Sequence, residues 1–167
     1  MRKIDIIVPI TEYTNDELSA EDRRLVDMAR EATYRSYVPY SHFHVGAAIE
    51  LDNGEVVCGS NQENVAYPSG TCAERSACFY AAARYPESKF VKIVVAARGT
   101  DGEFVSEPVA PCGACRQALL EYEQLAGRPV PVILCGKDSV RMLPSVASTL
   151  PLAFTEFEAA NLAELLR

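Results

Sequence analysis

The spacing of apolar and polar positions divides the chain into short strands and amphipathic helices. Residues 4–10 (IDIIVPI) read as a short edge strand, with Pro9 limiting its pairing. From Ser19 the period lengthens: Ser19 with Asp22 resembles a capping box, and Leu25, Met28, Ala29 and Ala32 share one helical face. A first helix is expected over about residues 15–36, closed off by Pro39. Val45, Ala47, Ile49 and Leu51 then alternate with period two. Asn53-Gly54 follows as the strongest hairpin signal in the chain, so a return strand is expected over about 55–60, antiparallel to the first.

Gly70 and Thr71 precede an alanine-rich helical stretch from Cys72 to about Arg84, stopped by Pro86. Phe90–Ala97 (FVKIVVAA) is nearly all apolar and β-branched, as suits a strand buried on both faces. After a loop from Arg98 to Ala110, Pro111 opens a helix that runs to about Ala126, where Gly127 supplies the stop. Val130–Cys135 reads as another buried strand, Val140–Leu143 as a short last strand, and a helix is expected from about Thr155. Strand, helix, strand, helix, strand is the order of an α/β sheet with parallel pairings. No internal repeat or low-complexity tract interrupts it.

With 167 residues, 49% of them apolar and 23% charged, the chain is expected to form one domain over 1–167, without a linker. A net charge of -7 argues against a nucleic-acid partner, because binding to a phosphate backbone depends on accumulated Lys and Arg. The opening MRKIDIIVPI lacks the long apolar region of a signal peptide, and no run is long enough to span a bilayer, so no membrane partner is expected. The expected location is cytoplasmic, where six cysteines point to metal or catalysis before disulfides.

Cys112 and Cys115 stand three apart in a predicted first helical turn, so both sulfurs can close on one ion; a redox pair is the competing reading of C-x-x-C. Cys72 shifts the balance, because it too begins a predicted helix, where backbone N–H groups and the dipole favour a thiolate. Three thiolates with one open position make a catalytic zinc site, whereas a structural site closes with four protein ligands. Cys58, Cys78 and Cys135 read as buried small hydrophobes, and His42 and His44 as surface or packing residues. Glu74, two residues after Cys72, can reach a water activated by the metal; its competing reading is the second half of a Thr71–Glu74 capping box. Because three thiolates around Zn²⁺ leave a formal charge of about -1, a cation must offset it, and Arg75 is preferred over Arg116.

Three segments, VPYSHFHVGAA (38–48), NQENVAYPSGTCAERSA (61–77) and PCGACRQ (111–117), resemble the cytidine deaminase family, specifically its small free-nucleoside enzymes with three cysteine ligands. The resemblance implies a three-layer α/β/α fold with a mixed sheet of about five strands. It implies one Zn²⁺ per chain on Cys72, Cys112 and Cys115, with Glu74 moving protons from the attacking water to N3 and to departing ammonia. The expected reaction converts cytidine and 2′-deoxycytidine to the uridines. Another cytosine-containing small molecule, such as a nucleoside antibiotic, is the alternative substrate. Asn61 and Glu63 fall on the pair that bonds the ribose 3′-hydroxyl, Phe43 on the aromatic against the pyrimidine, and Tyr67 on a tyrosine near the sugar. The Ala73 N–H matches the group that holds O2. Ala110, where a serine is common, offers its carbonyl to the exocyclic amine. The resemblance also implies a homotetramer, the family's usual state, with Phe154, preferred over Phe157, as the aromatic lent to a neighbouring site; Pro144–Thr149 reads as an insertion ahead of it.

Overall fold

The structure is a computed structural model and describes residues 1–155. Six strands form one mixed sheet: β1 (Thr11–Thr14), β2 (His44–Leu51), β3 (Val56–Ser60), β4 (Phe90–Arg98), β5 (Val132–Cys135) and β6 (Ser139–Leu143). Their spatial order is β1-β6-β5-β4-β2-β3. Among the described residues three helices cover it, α1 (Ala20–Ala32), α2 (Ala73–Arg84) and α3 (Gly113–Ala126). The helix expected from about Thr155 lies outside the described residues.

β2 and β3 form the expected hairpin, and Gly54 takes the positive φ of 85° that its turn requires. β2 also pairs antiparallel with β4, whereas β4 and β5 are parallel, with α3 as the crossover between them. The sheet is therefore mixed, with its apolar β4 at the centre.

The sixth strand differs from the sequence reading. Residues 4–10 form no strand; the ladder begins at Thr11, directly after Pro9-Ile10, and runs antiparallel to β6 from Thr11↔Met142 to Thr14↔Ser139. Pro9 lacks the N–H that a ladder needs, so pairing starts beyond it.

α1 is also shorter than the expected 15–36. Ser19 caps it by accepting the Asp22 N–H at 3.0 Å. Upstream, Asn15–Glu17 is a separate 3₁₀ turn closed by Glu17, whose carboxylate accepts the Thr14 N–H at 2.8 Å. Downstream, Thr33 turns its hydroxyl back to the Arg30 carbonyl at 2.6 Å, and the chain tightens into a 3₁₀ turn over Thr33–Arg35.

The helices divide between the two faces. α1 buries Leu25, Val26 and Ala29 against Ala48, Val94, Ala96 and Ile133. α2 and α3 bury Ala73, Ala77, Leu119 and Leu120 against Ala47, Ile49 and Val95 on the other. Successive residues of β2 and β4 thus serve opposite layers, as the pleat dictates. At Gly59 the backbone of β3 approaches α2 so closely that an added Cβ would lie 2.5 Å from the Ala73 carbonyl oxygen. This contact seats the first turn of α2 on the sheet.

No described helix is long and apolar enough to cross a membrane.

Candidate active site

Two helix starts meet at one end of the sheet. Cys72 is the N-cap residue of α2 and Cys112 that of α3, both with extended backbone, while Cys115 lies buried in the first turn of α3. A helix start leaves backbone N–H groups unpaired and carries positive potential, which suits the anionic sulfurs of a metal site. The three Sγ atoms all lie within 4.8 Å of one another, and those of Cys72 and Cys112 are 3.7 Å apart.

The donor set fits zinc. Three soft sulfurs converge, and among the described residues no histidine, carboxylate or fourth cysteine joins them, as a catalytic site requires. His44 is engaged elsewhere, with Nδ1 2.7 Å from the Ser36 hydroxyl. All six cysteines are free of disulfides. Cys78 and Cys135 are buried as expected, and burial pushes both thiols up to about 12. Cys58 is not: it lies within β3 with its side chain exposed, because β3 is the edge of the sheet.

Charge within the cluster is uneven. A hydrogen bond from Cys115 outweighs burial and, with Arg75 and Cys112 assisting, holds the Cys72 thiol down at about 5. Cys115 is pushed up by the same bond and by burial. The Arg75 Nη2 donates to Cys72 Sγ at 3.8 Å, while Arg75 Nε is buried without a partner. Arg116 points away from the sulfurs: its Nε donates to the Pro111 carbonyl at 2.6 Å and its Nη1 to the Thr149 carbonyl at 2.9 Å.

Glu74 occupies the first turn of α2 and is only 3% exposed. Burial raises its pKa, and the Cys72 thiolate adds to the rise. The capping-box alternative is absent here, since the N-cap is Cys72 and the Thr71 hydroxyl turns to the Ser69 carbonyl at 3.5 Å. Ala73, the first residue of α2, is fully buried between the cluster and the sheet.

A wall of residues 40–67 joins this floor where Gln62 pairs with Thr71, the residue before Cys72. Asn61 Oδ1 accepts the Val45 N–H at 2.8 Å and its Nδ2 donates to the Phe43 carbonyl at 2.9 Å, so one amide holds the peptide groups on either side of His44, directly after Phe43. Glu63 Oε2 accepts the N–H groups of Tyr40 at 2.9 Å and Ser41 at 3.3 Å. Bonds with Ser41 foremost, and then Tyr40, hold the Glu63 carboxyl below its usual range. His42, between these anchors, takes a positive φ of 53°, a turn that few side chains tolerate. Phe43 follows it, half-buried. The Tyr67 ring packs edge-on against Tyr40 at 5.6 Å between centroids. Tyr40, Ser41, Glu63, Asn64, Tyr67 and Gly70 line a cleft of about 360 Å³.

Ala110 is exposed immediately before the buried Pro111. Phe154 is 60% exposed, and its backbone is held by Gln117, whose Nε2 donates to the Phe154 carbonyl at 2.8 Å and whose Oε1 accepts its N–H at 3.1 Å. Phe157 lies outside the described residues. Tyr40, Ser41 and Gln117 were not singled out by sequence reasoning, although all three lie in the motif segments; their roles depend on partners that spacing does not reveal. A larger cavity, about 880 Å³ alongside α1, shares no residue with this site.

Comparison with known proteins supplies an independent finding. Residues 19–126 match the family model for the cytidine and deoxycytidylate deaminase zinc-binding region. A cytidine deaminase of Sporosarcina psychrophila is 38% identical over 141 residues, covering 84% of this chain and 96% of that protein. The crystal structure of cytidine deaminase from Burkholderia pseudomallei superposes with a TM-score of 0.67 at 35% identity, covering 82% of this chain and 100% of that one. A blasticidin-S deaminase of Bacillus cereus is more distant, 28% identical over 83% of this chain and 95% of that protein.

Proposed function

Because the chain belongs to the cytidine and deoxycytidylate deaminase family, we propose that the sulfur cluster, Glu74 and the 40–67 wall form one site for a free nucleoside. The reaction is the zinc-dependent hydrolysis of cytidine to uridine and ammonia, and 2′-deoxycytidine is taken in the same way. The observation that carries this reading is the convergence of three sulfurs within 4.8 Å at two helix starts, beside a buried glutamate.

Zinc, held by Cys72, Cys112 and Cys115, supplies the Lewis acidity that makes water nucleophilic near neutral pH. Glu74 then acts as the proton carrier. Its ionised carboxylate accepts a proton from the attacking water and passes it to N3 as the C4–O bond forms; it then carries the proton left on the new C4 hydroxyl to the amine, so that the C4–N bond breaks to leave a C4 carbonyl and ammonia. Its burial keeps the carboxyl basic enough to take those protons, since desolvation disfavours the charge. Arg75 balances the sulfurs. The Ala73 N–H is assigned to O2 and the Ala110 carbonyl to the exocyclic amine.

Asn61 and Glu63 are assigned to the ribose 3′-hydroxyl. Glu63 spends Oε2 on the loop, which leaves Oε1 for a hydroxyl donor, and the Asn61 amide retains a second hydrogen. Phe43, whose carbonyl Asn61 holds, faces the base in this reading, and Tyr67 stands near the sugar. The antibiotic alternative is not favoured, because identity falls from 38% in a cytidine deaminase to 28% in the blasticidin-S enzyme.

The reading extends to a single deaminase domain over 1–167 that assembles as a homotetramer, with Phe154 lent to a neighbouring site. Exposed Tyr37, Tyr67, Phe79 and Tyr80 support burial between copies, which sedimentation velocity measures directly. A cytoplasmic place in pyrimidine salvage agrees with six free cysteines, which a reducing compartment preserves. Purified protein incubated with cytidine tests the activity: cytidine absorbance falls as uridine and ammonia appear in equal amounts. Protein that carries one zinc per chain and leaves cytidine intact overturns it.

A further inference from the structure

The extra residues 144–149 and the LPLAF that follows them form a strap that α3 holds at three points. Deepest is Glu123, 9% exposed, whose Oε2 accepts the N–H groups of Val130 at 2.9 Å and Val146 at 2.6 Å. Its Oε1 accepts that of Ala147 at 3.1 Å. Two turns nearer the sulfurs, Arg116 bridges two main-chain carbonyls, Pro111 at 2.6 Å and Thr149 at 2.9 Å. Gln117 then exchanges two hydrogen bonds with the peptide groups of Phe154, at 2.8 and 3.1 Å, as a neighbouring strand would.

Arg116 and Gln117 directly follow Cys115, and Pro111 directly precedes Cys112. The strap is therefore fastened to the same turn that carries two of the three sulfurs. A guanidinium suits the bridge, because its donors are fixed in one plane and can serve two acceptors at once; an ammonium offers one mobile charge. A paired amide fixes both the place and the rotation of the Phe154 backbone, whereas a single bond leaves it free to pivot.

We propose that Arg116 and Gln117 are positioning residues of the deaminase site: Gln117 sets where Phe154 stands, and Arg116 braces the carbonyl beside Cys112 against the strap. The inference rests on the deaminase reading above and adds to it two residues that touch neither metal nor substrate.

The full zinc-loaded chain provides the test. Q117L removes both bonds at similar volume, and Q117E keeps the acceptor while losing the donor. KM for cytidine is expected to rise about 10-fold in Q117L and about 3-fold in Q117E, with kcat within about twofold of the parent. R116K, checked for native helix content by circular dichroism, is expected to release zinc to a chelator about 5-fold faster, a readout that needs no turnover. Parental KM in either folded Gln117 variant, or parental zinc release in R116K, overturns the proposal. If Q117L fails to fold, Q117E carries the comparison. A parent protein that holds zinc but leaves cytidine unchanged is a different result, and it removes the deaminase reading itself.

Discussion

The Arg75 guanidinium meets the Cys72 sulfur at 3.8 Å across the first turn of α2, placing a positive charge against one of the three ligands. Three thiolates around a divalent ion leave a net charge of about -1, which opposes loss of a proton from the attacking water. Arg75→Gln is therefore expected to move the acid limb of the kcat/KM profile upward by about one pH unit and to speed zinc loss to a chelator. If neither changes, Arg75 has no part in charge balance.

Glu74→Gln keeps the shape of the buried side chain and removes its basicity. Turnover should fall by about 10³-fold, while zinc content stays near one per chain. Elemental analysis alongside steady-state rates separates the two effects. Retained turnover would leave Glu74 as a mere packing residue.

Glu50 gives a pH dependence remote from the chemistry. It is 7% exposed, its Oε2 has no partner, and its pKa is raised by burial first and by Glu21 second, against the pull of Lys92 and Arg24. A carboxyl whose folded pKa exceeds the unfolded value binds more protons when folded, so stability falls as the pH rises from 4.5 through the folded value. Glu50→Gln lifts that penalty. The Tm of the variant minus that of the parent should be larger at pH 7 than at pH 4, and a constant difference would show that the carboxylate is ionised at no cost.

At Gly59, a methyl group would press on the α2 backbone at 2.5 Å, from both the Ala73 oxygen and the Ala77 nitrogen. Gly59→Ala should cost about 1–3 kcal/mol by overpacking, a fall in Tm of several degrees. Because the displaced turn holds Cys72 and Glu74, kcat should drop as well. Parental Tm and kcat would mean that α2 can slide freely on the sheet.

Much of this architecture is written in local pattern. Asn53-Gly54 marks the hairpin, the apolar run at Phe90 marks the central strand, and cysteines at the heads of two periodic stretches mark both helix starts. What escapes is decided by distant partners. β1 is four largely exposed residues with no apolar alternation, and only β6 makes it a strand. The tight turns that flank α1 are set by Thr14 with Glu17 and by Thr33 with Arg30, contacts that a helical period does not encode.

The site divides in the same way. The spacing of Cys112 and Cys115 follows from one helical turn, and their meeting with Cys72 requires the two crossovers that surround β4. Arg116 offers the opposite case: beside a sulfur in sequence, it spends its guanidinium on carbonyls of Pro111 and Thr149. No count of neighbours along the chain could choose it over Arg75, since both follow a motif cysteine or glutamate directly. Asn61 likewise carries a loop-holding duty that its motif position alone does not disclose.

The pairing of β1 with β6 joins Thr11 to Met142, nearly opposite ends of the chain, through only four matched residues. Closing so long a loop for so short a ladder makes this flank the last to zip and the first to fray. Amide exchange should therefore begin at Thr11–Thr14 while the β2–β4 ladder stays protected, so gentle warming would peel away one border and leave the sulfur trio gathered.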